Sequence, residues 1–458
     1  MSPVRQKNAM LVRMHILALL WLACGISGCR STAGLFLPVD NHPQLLNEAR
    51  SAVLQQNPDA LESILIDLER RTSTRSRMLY LLESGRLYEL SGELEASMQK
   101  FSEASTLAEN QDMEASFTAT ESLQQALAMV TNDRALPYKA KLFERLFLYY
   151  FQSLNYLQAN QPQKARIELN KALRDMRWWK DNLPVLRNRA DQMLDQKGIR
   201  ANELPPGFDF NAGDESTSSS DNALVYYLSG LLHQASGDRD RAEIDYRNAL
   251  AYIPDATPLL HALETLDEPR SGLSRLVIIH ESDWVAAKVP YSISVYINRN
   301  LYSLSFPFYP ESTKRWIIPD LPLRFDSSIP PQYPVLNLNT AAHRALQEEF
   351  PAILLRQALR MLAKHELQEE AREEDPWLGL AASIFSVLSD QPDLRSWLSL
   401  PASISLSDST LPPGIYDVPN LGQVDLKPGQ ILLLRAISSQ GAVIKVDSLA
   451  IPSYHSTQ

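Results

Sequence analysis

Apolar residues recur with helical spacing through the first 270 residues, and three stretches repeat one arrangement of small, turn and aromatic positions. The clearest stretch covers residues 222–255. Its Gly230 lies where two helices must cross closely, Gly237 lies at the turn, and Tyr246 fills between the helices. The remaining small and terminating places are held by Ala242, Ala249 and Pro254. The pattern predicts two antiparallel helices in close contact.

An earlier copy covers residues 77–110, with Gly85, Gly92 and Phe101 in the same frame. Ser97 stands where Ala is usual, and it is small enough for the helix crossing. This frame of small and aromatic places is typical of tetratricopeptide hairpins.

The middle copy, residues 146–177, departs most from the frame. Ser153 replaces the first Gly, Leu169 replaces the aromatic residue, and Asn160 lies at the turn, where Asn tolerates a left-handed conformation. Two further stretches with helical spacing, residues 43–71 and 113–131, are predicted to complete or cap the array.

After residue 272 the pattern changes to short runs of β-branched and aromatic residues that are broken by Pro, Asn and Asp. Strands are predicted at residues 276–280, 292–297, 302–308, 316–318, 414–418, 423–426, 430–437 and 442–446. A helical segment at residues 340–389 separates the two groups of strands. We therefore predict an α+β multidomain protein. A tetratricopeptide-like helical array at residues 43–268, with a polar loop at residues 209–221, precedes a mixed α+β domain at residues 272–450.

Residues 1–28 have the layout of a bacterial lipoprotein signal peptide, with basic residues, a short apolar run at residues 16–23 and the segment Ile26-Ser27-Gly28-Cys29. The Cys29 thiol would carry the diacylglycerol, and residues 29–42 would form a tether. Cys24 is a competing site, but bulky residues precede it. An ordinary secretory signal is the alternative interpretation. Arg30 stands where Asp would specify inner-membrane retention, which favours the outer membrane, facing the periplasm.

The charge balance narrows the range of partners. The whole chain has a formal net charge of −10, and the part after residue 28 holds 41 Lys and Arg against 54 Asp and Glu, which gives −13. An acidic chain repels phosphate backbones and anionic lipid, so we expect no nucleic-acid partner and a membrane attachment that depends on the acyl chains. Since both cysteines lie in residues 1–29, no internal disulfide is expected after cleavage.

No catalytic constellation is evident in the sequence. The segment from His365 begins like a zinc-protease helix, but Glu369 stands where the second His is needed. No Walker loop, dinucleotide fingerprint or Gly-x-Ser-x-Gly elbow is present. We predict a protein that is not an enzyme and that uses no metal or cofactor.

Two surfaces are candidates for binding. In a tetratricopeptide array the first helix of each hairpin lines a concave groove that binds proteins. By the repeat frame, the groove residues are Leu82, Arg86, Glu89, Tyr150, Leu154, Tyr227 and Leu231. A stripe of basic residues, Arg356, Arg360 and Lys364, recurs every four residues and would meet an acidic partner, or would simply form a solvated face. The aromatic pair Trp178 and Trp179 is interpreted as filler between stacked helices.

Four stretches resemble a poorly characterised family of proteobacterial outer-membrane lipoproteins with a tetratricopeptide-like N-terminal half. They lie at residues 132–144, 154–168, 222–255 and 393–401, the last containing Asp-Leu-Arg-Ser-Trp followed by Leu-Pro. The resemblance implies a non-enzymatic envelope protein associated with lipoprotein activators of penicillin-binding proteins. Within the last stretch we predict that Trp397 is a core anchor and that Arg395 is a fixed guanidinium that bonds to carbonyls or a carboxylate.

Together these features predict an outer-membrane lipoprotein that acts as a periplasmic protein-protein interaction scaffold in cell-envelope or peptidoglycan assembly. The alternative is an envelope glycan-binding protein or enzyme that uses the C-terminal domain. The sequence identifies no particular partner.

Overall fold

Most helices of the N-terminal half pack as consecutive pairs. A computed structural model describes residues 42–70, 75–118, 136–196, 218–266, 272–297, 300–310, 331–374, 392–418 and 420–452. In the first 270 residues the helices are α1 His42–Leu54, α2 Pro58–Arg70, α3 Arg77–Ser91, α4 Leu94–Thr118, α5 Leu142–Gln158, α6 Pro162–Gln196, α7 Ala223–Ala235, α8 Arg239–Tyr252 and α9 Thr257–Glu264. The pairs α3/α4, α5/α6 and α7/α8 coincide with the three predicted hairpins.

Glycine and aromatic residues hold the first and third hairpins together. A Cβ atom at Gly85 would lie 2.6 Å from Cε1 of Phe101, and one at Gly230 would lie 2.7 Å from Cε1 of Tyr246. Neither position therefore has room for a larger residue. In the first hairpin Ser97 also donates a hydrogen bond of 2.8 Å to the carbonyl of Gly85.

The turns within the hairpins have the predicted backbone conformation. Gly92, Asn160 and Gly237 all have positive φ, at 88°, 56° and 80°. The third hairpin is also capped at its start. The Asn222 side chain accepts a hydrogen bond from the Val225 amide at the start of α7, which satisfies one of the free amides there.

The C-terminal half contributes one larger sheet and two small hairpins. The strands are β1 Ser274–Trp284, β2 Val289–Ile297, β3 Asn300–Phe308, β4 Tyr333–Asn337, β5 Pro401–Leu411, β6 Gly414–Val418, β7 Gly422–Leu426, β8 Ile431–Ser439 and β9 Ala442–Ile451, with helix α10 Leu338–Glu374 after β4. The larger sheet has the order β4-β5-β1-β8-β9, while β2-β3 and β6-β7 pair separately. Strand β1 is central, antiparallel to β5 and parallel to β8.

The two faces of β1 belong to different parts of the core because side chains alternate along a strand. Val277 and Ile279 pack in the cluster that contains the buried aromatic residues of the helices. Leu276 and Ile278 pack on the opposite face with residues of the β6-β7 hairpin. One face of the sheet is therefore covered by the helical array.

The predicted boundary at residues 268–272 marks a change of secondary structure inside one compact unit. The chain from Pro43 to Gln458 clusters as a single unit, and one apolar core joins Tyr150 and Tyr227 to Val277 and Leu433. The described residues thus show an α+β fold with the helices first. None of the described helices is long and apolar enough to cross a membrane.

Several sequence predictions fall partly or wholly beyond the described ranges. These are the signal region with Cys29, the strand at residues 316–318, the helix at residues 376–389, and most of residues 113–131 and 209–221. Strands β4 and β5 were not predicted. In β5 serines alternate with apolar residues, and both faces of the strand are buried.

Candidate functional site

The residues predicted to line an open groove are buried beneath the chain's own sheet. Leu82, Arg86, Glu89, Tyr150, Leu154, Tyr227 and Leu231 are each no more than 2% exposed. They belong to the first helices of the three hairpins, α3, α5 and α7. The prediction that these residues form a protein-binding surface is wrong, because polar and apolar side chains of the C-terminal strands cover this face. The candidate site is therefore an internal interface between helices and sheet.

One half of this interface is a cluster of five buried residues, Arg86, Glu89, Tyr150, Glu281 and Arg435, here called the Glu281 cluster. Arg435 on β8 binds both carboxylate oxygens of Glu281 on β1, with Nε–Oε1 at 2.6 Å and Nη2–Oε2 at 2.9 Å. Arg86 on α3 approaches the same carboxylate at 2.6 Å, and Tyr150 on α5 donates a hydrogen bond to it at 3.0 Å. Glu89 accepts hydrogen bonds from both arginines. Two strands and two helices thus share one charge network.

The charges in the Glu281 cluster are fixed by their neighbours. Burial opposes the ionisation of Glu89, but Arg435 and Arg86 outweigh it and lower its pKa to about 2. Burial and the nearby Glu281 carboxylate raise the pKa of the Tyr150 hydroxyl well above its usual value. Both guanidinium groups also lie over the Phe151 ring, with Cζ at 4.3 Å for Arg86 and 5.3 Å for Arg435. Near neutral pH Glu89 is therefore ionised and the Tyr150 hydroxyl is protonated.

A second cluster joins the third hairpin to β1 and β5. Asp408 accepts a hydrogen bond of 2.7 Å from Tyr227 and one of 2.8 Å from Nε of Arg275. Gln234 on α7 accepts a hydrogen bond from Arg275, and His261 Nδ1 lies 3.3 Å from Asp408. Although burial opposes its ionisation, Arg275 holds the pKa of Asp408 far below its usual range. As in the Glu281 cluster, a buried carboxylate on a strand is bound by an arginine from a strand and a tyrosine from a helix.

The segment before β5 is tied to the helices by two buried carboxylates. Glu83 on α3 accepts hydrogen bonds from the Leu398 amide at 2.7 Å and the Ser399 hydroxyl at 2.5 Å. Glu144 on α5 accepts one of 2.9 Å from the Trp397 amide. Burial raises the pKa of Glu144, and the hydrogen bond from Tyr138 acts against that rise. Helices α3 and α5 thus each place a carboxylate where it accepts hydrogen bonds from backbone amides of this segment.

Arg395 and Trp397 have the structural roles predicted for them. Arg395 donates hydrogen bonds to the carbonyls of Arg75, at 3.1 Å, and Leu136, at 2.9 Å, and it pairs with Asp393 at 2.8 Å. Trp397 is fully buried, with its ring centroid 5.7 Å from that of Phe151. Both residues therefore lock this segment into the helical array.

Part of the basic stripe on α10 is buried. Arg360 is only 6% exposed, and Arg356 is half-buried. The side chain of Lys364 lies outside the described residues. The prediction that these residues meet an acidic partner is therefore wrong for Arg360, because its helix face is packed.

A histidine and a serine come together on the opposite face of the sheet. His280 Nε2 lies 2.8 Å from Ser438 Oγ and 3.4 Å from Ser282 Oγ. Burial lowers the pKa of His280 to about 4, and the ring is 1% exposed. A nucleophile needs access to a substrate, which this buried pair does not have. Within the described ranges, no three His, Cys, Asp or Glu side chains are placed to hold a metal ion.

Sequence reasoning missed the strand residues of the interface, namely Arg275, Glu281, Asp408 and Arg435. The available signal was a charged residue at an inward position of an otherwise apolar strand, as Arg435 is in Ile431–Ser439. A charge at such a position must find a buried partner. Arg86 and Glu89, already assigned to the facing helix surface, are such partners.

Comparisons with known proteins add little to this geometry. No protein-family model matches the chain, and no curated protein sequence matches it. Among solved structures, a tetratricopeptide repeat protein from Parabacteroides merdae ATCC 43184 aligns with 15% identity and a TM-score of 0.14, over 49% of this chain and 98% of that chain. A TM-score this low supports no structural or functional argument.

Proposed function

We propose that this protein is a non-enzymatic scaffold of the outer membrane, anchored at the periplasmic face by acyl chains on Cys29. The observation that carries the proposal is the closure of the concave helical face by buried ion pairs. The ionisable side chains of this face, such as Glu281 and Arg435, are engaged with one another. A rigid fold of this kind is suited to holding its outer surfaces in fixed positions for binding partners.

The proposed anchor explains how such a frame would work. Ile26-Ser27-Gly28-Cys29 follows a basic and apolar start, as a lipoprotein signal requires. Acyl chains confine the protein to the membrane plane and so raise its effective concentration for partners there. In this proposal the tetratricopeptide-type hairpins supply rigidity, and partner proteins bind outside the concave face.

An inventory of crosslinked proteins in intact cells tests the proposal. The natural chain is compared with Cys29→Ser, which cannot be acylated, and the N-terminal peptide of each is weighed by mass spectrometry. We expect an acylated Cys29 peptide and one or a few envelope proteins that disappear with the substitution. Recovery of abundant porins alone, equally from both chains, would contradict the proposal.

We further propose a place in cell-envelope or peptidoglycan assembly. The support is the resemblance carried by residues 393–401, which include Arg395 and Trp397. Enzymes of cell-wall synthesis, or their lipoprotein activators, are expected among the crosslinked proteins. Their absence from an otherwise specific set of partners would exclude this pathway while leaving the scaffold role intact.

A further inference from the structure

The larger sheet has two edge strands, β4 and β9, and they differ in how they are protected. Strand β4 is five residues long, contains Pro334, and pairs irregularly with β5 between Pro334 and Leu336. Short length, proline and irregular pairing are features by which natural sheets prevent pairing with another chain. Strand β9 spans ten residues without a proline, and it pairs regularly with β8 from Lys445 to Ile451. Within the described ranges, β8 is the only strand that pairs with β9.

The outward residues of β9 carry no charge. Val446 is 37% exposed, and Ser448 and Ala450 are exposed as well, whereas Asp447 and Leu449 between them are buried. The strand therefore has one face packed against the helices and one face in water. An edge strand that is long, regular and free of outward charges can accept a further strand through its unpaired backbone groups.

Two inward residues of β9 restrict what that further strand can be. Lys445 and Asp447 flank Val446, and their charged atoms lie 3.4 Å apart within the chain. Inward charges at an edge oppose pairing with a foreign strand, because such a strand offers them no matching charge. A second copy of β9, antiparallel to the first with the two-fold axis at Val446, places each Lys445 opposite the Asp447 of the other copy. Centring the pair on Lys445 or on Asp447 would instead place like charges opposite each other.

We propose that two copies of the protein associate through antiparallel pairing of their β9 strands. The two five-stranded sheets would then form one continuous sheet, with Val446 facing its own copy at the two-fold axis. A contact between two strands is a small interface, so the dimer should be weak and should exchange with monomers in solution. The pairing does not depend on the acyl anchor, although confinement of both copies to the membrane would raise their effective concentration and favour it.

Disulfide trapping tests the position of the two-fold axis, because residues 43–458 contain no cysteine and form one compact unit. In Val446→Cys the two thiols would lie on directly opposite residues, whose Cα atoms are about 4.5 to 5.5 Å apart, a separation that a disulfide spans. We expect mild oxidation to convert this variant to a covalent dimer.

Two other single-cysteine variants are the controls for disulfide trapping. Ala450→Cys lies on the same exposed face of β9, but its own copy would lie far along the paired strand. Ile415→Cys lies on β6 at a position that is 71% exposed, so it is more accessible than residue 446. Both should stay largely monomeric under the same oxidation. Equal crosslinking of all three variants would indicate random collision and would overturn the inference.

Sedimentation equilibrium over a concentration series tests the association without a covalent bond. We expect residues 43–458 of the natural sequence to dimerise reversibly. Val446→Lys places two like charges opposite each other at the two-fold axis, so it should weaken dimerisation by about tenfold or more. Ile415→Lys is the same kind of substitution at an exposed position outside the sheet edge, and it should leave the association unchanged. Circular dichroism verifies that each variant is folded.

The outcomes separate pairing between copies from other uses of this edge. A dimer that Val446→Lys leaves unchanged would overturn the inference, as would a monomer at every concentration whose Val446→Cys variant forms no more disulfide than Ile415→Cys. If the chain stays monomeric but Val446→Lys removes crosslinks to an envelope protein in intact cells, the edge pairs with a strand of that protein instead. Because neither measurement uses an acyl chain, their failure is distinct from a failure of Cys29 acylation.

Discussion

Glu89 illustrates how a single residue is kept ionised far from water. Its pKa of about 2 lies below the ordinary value of 4.5, so the unfolded chain takes up a proton at a pH where the native protein does not. The stabilisation from its charge is complete above pH 4.5 and is lost as the pH falls through about 2. We expect the free energy of unfolding, measured with urea between pH 2.5 and 7, to fall below pH 4.5.

Glu89→Gln should remove part of that acid dependence. At neutral pH the variant should also be less stable by about 3 to 5 kcal/mol, because Arg435 and Arg86 lose an ionic partner in a buried site. Glu95→Gln, at an exposed position on the neighbouring helix α4, is the control and should change neither quantity. A Glu89→Gln curve parallel to the natural one at every pH would exclude this account.

Asp245 has the opposite pH behaviour, since burial raises its pKa from 3.8 to about 6 in spite of the hydrogen bond from Ser229. Above pH 6 the native protein must bury this charge, while the unfolded chain solvates it. The penalty disappears as the pH falls below 3.8. Asp245→Asn should therefore raise the free energy of unfolding at pH 8 by about 1 to 3 kcal/mol, and this gain should vanish near pH 4. A gain of equal size at both pH values would point to packing instead.

At the scale of the element, the close approach of two helices depends on which two residues face each other at their crossing. Gly85 faces Phe101 with no room for a Cβ atom, whereas the middle hairpin has Ser153 and Leu169 in the equivalent places. Gly85→Ala should cost about 1 to 3 kcal/mol in chemical denaturation because the buried Phe101 ring cannot move aside. Ser153→Ala should cost less than that.

A double-mutant cycle tests the same pairing. Gly85→Ser should be much less costly when Phe101 is already Leu, since that combination copies the middle hairpin. Additive costs would show that the glycine is required for a reason other than the aromatic ring.

The sequence allowed the elements to be predicted where the signal is local. Turn residues such as Asn160 and crossing residues such as Gly230 located the hairpins because a positive φ or a close approach restricts which residue fits. Strand β5 was missed because one of its two faces consists largely of serines, including Ser405 and Ser407, which are typical of exposed positions, whereas both faces are buried. The repeat frame identified the concave face, but the strand that covers it pairs with residues more than 100 positions away. Because these partners are distant in the sequence, the residues around Tyr150 show no repeating pattern that indicates the covering strand.

At the scale of the whole molecule, the helices and the sheet should unfold together. The Glu281 cluster and the Asp408 contacts place charges from each half against the other, so neither half retains its partners alone. We expect one urea transition that coincides in far-ultraviolet and near-ultraviolet circular dichroism. Residues 43–268, expressed alone, should be helical but poorly packed and should bind a hydrophobic dye. A rigid, monomeric fragment with the near-ultraviolet signal of the helices would contradict this expectation.

Strand β1, Ser274–Trp284, pairs in parallel with β8, Ile431–Ser439, which is made long after the helical hairpins. A ribosome releases the helical hairpins first, so Arg86 and Glu89 exist without Arg435 until β8 has been synthesised. Until then the Glu281 cluster is incomplete. Premature stop codons as late as residue 430 therefore remove β8 and leave Glu281 and Arg86 buried without Arg435, which makes the shortened products substrates for proteolysis instead of partly active proteins.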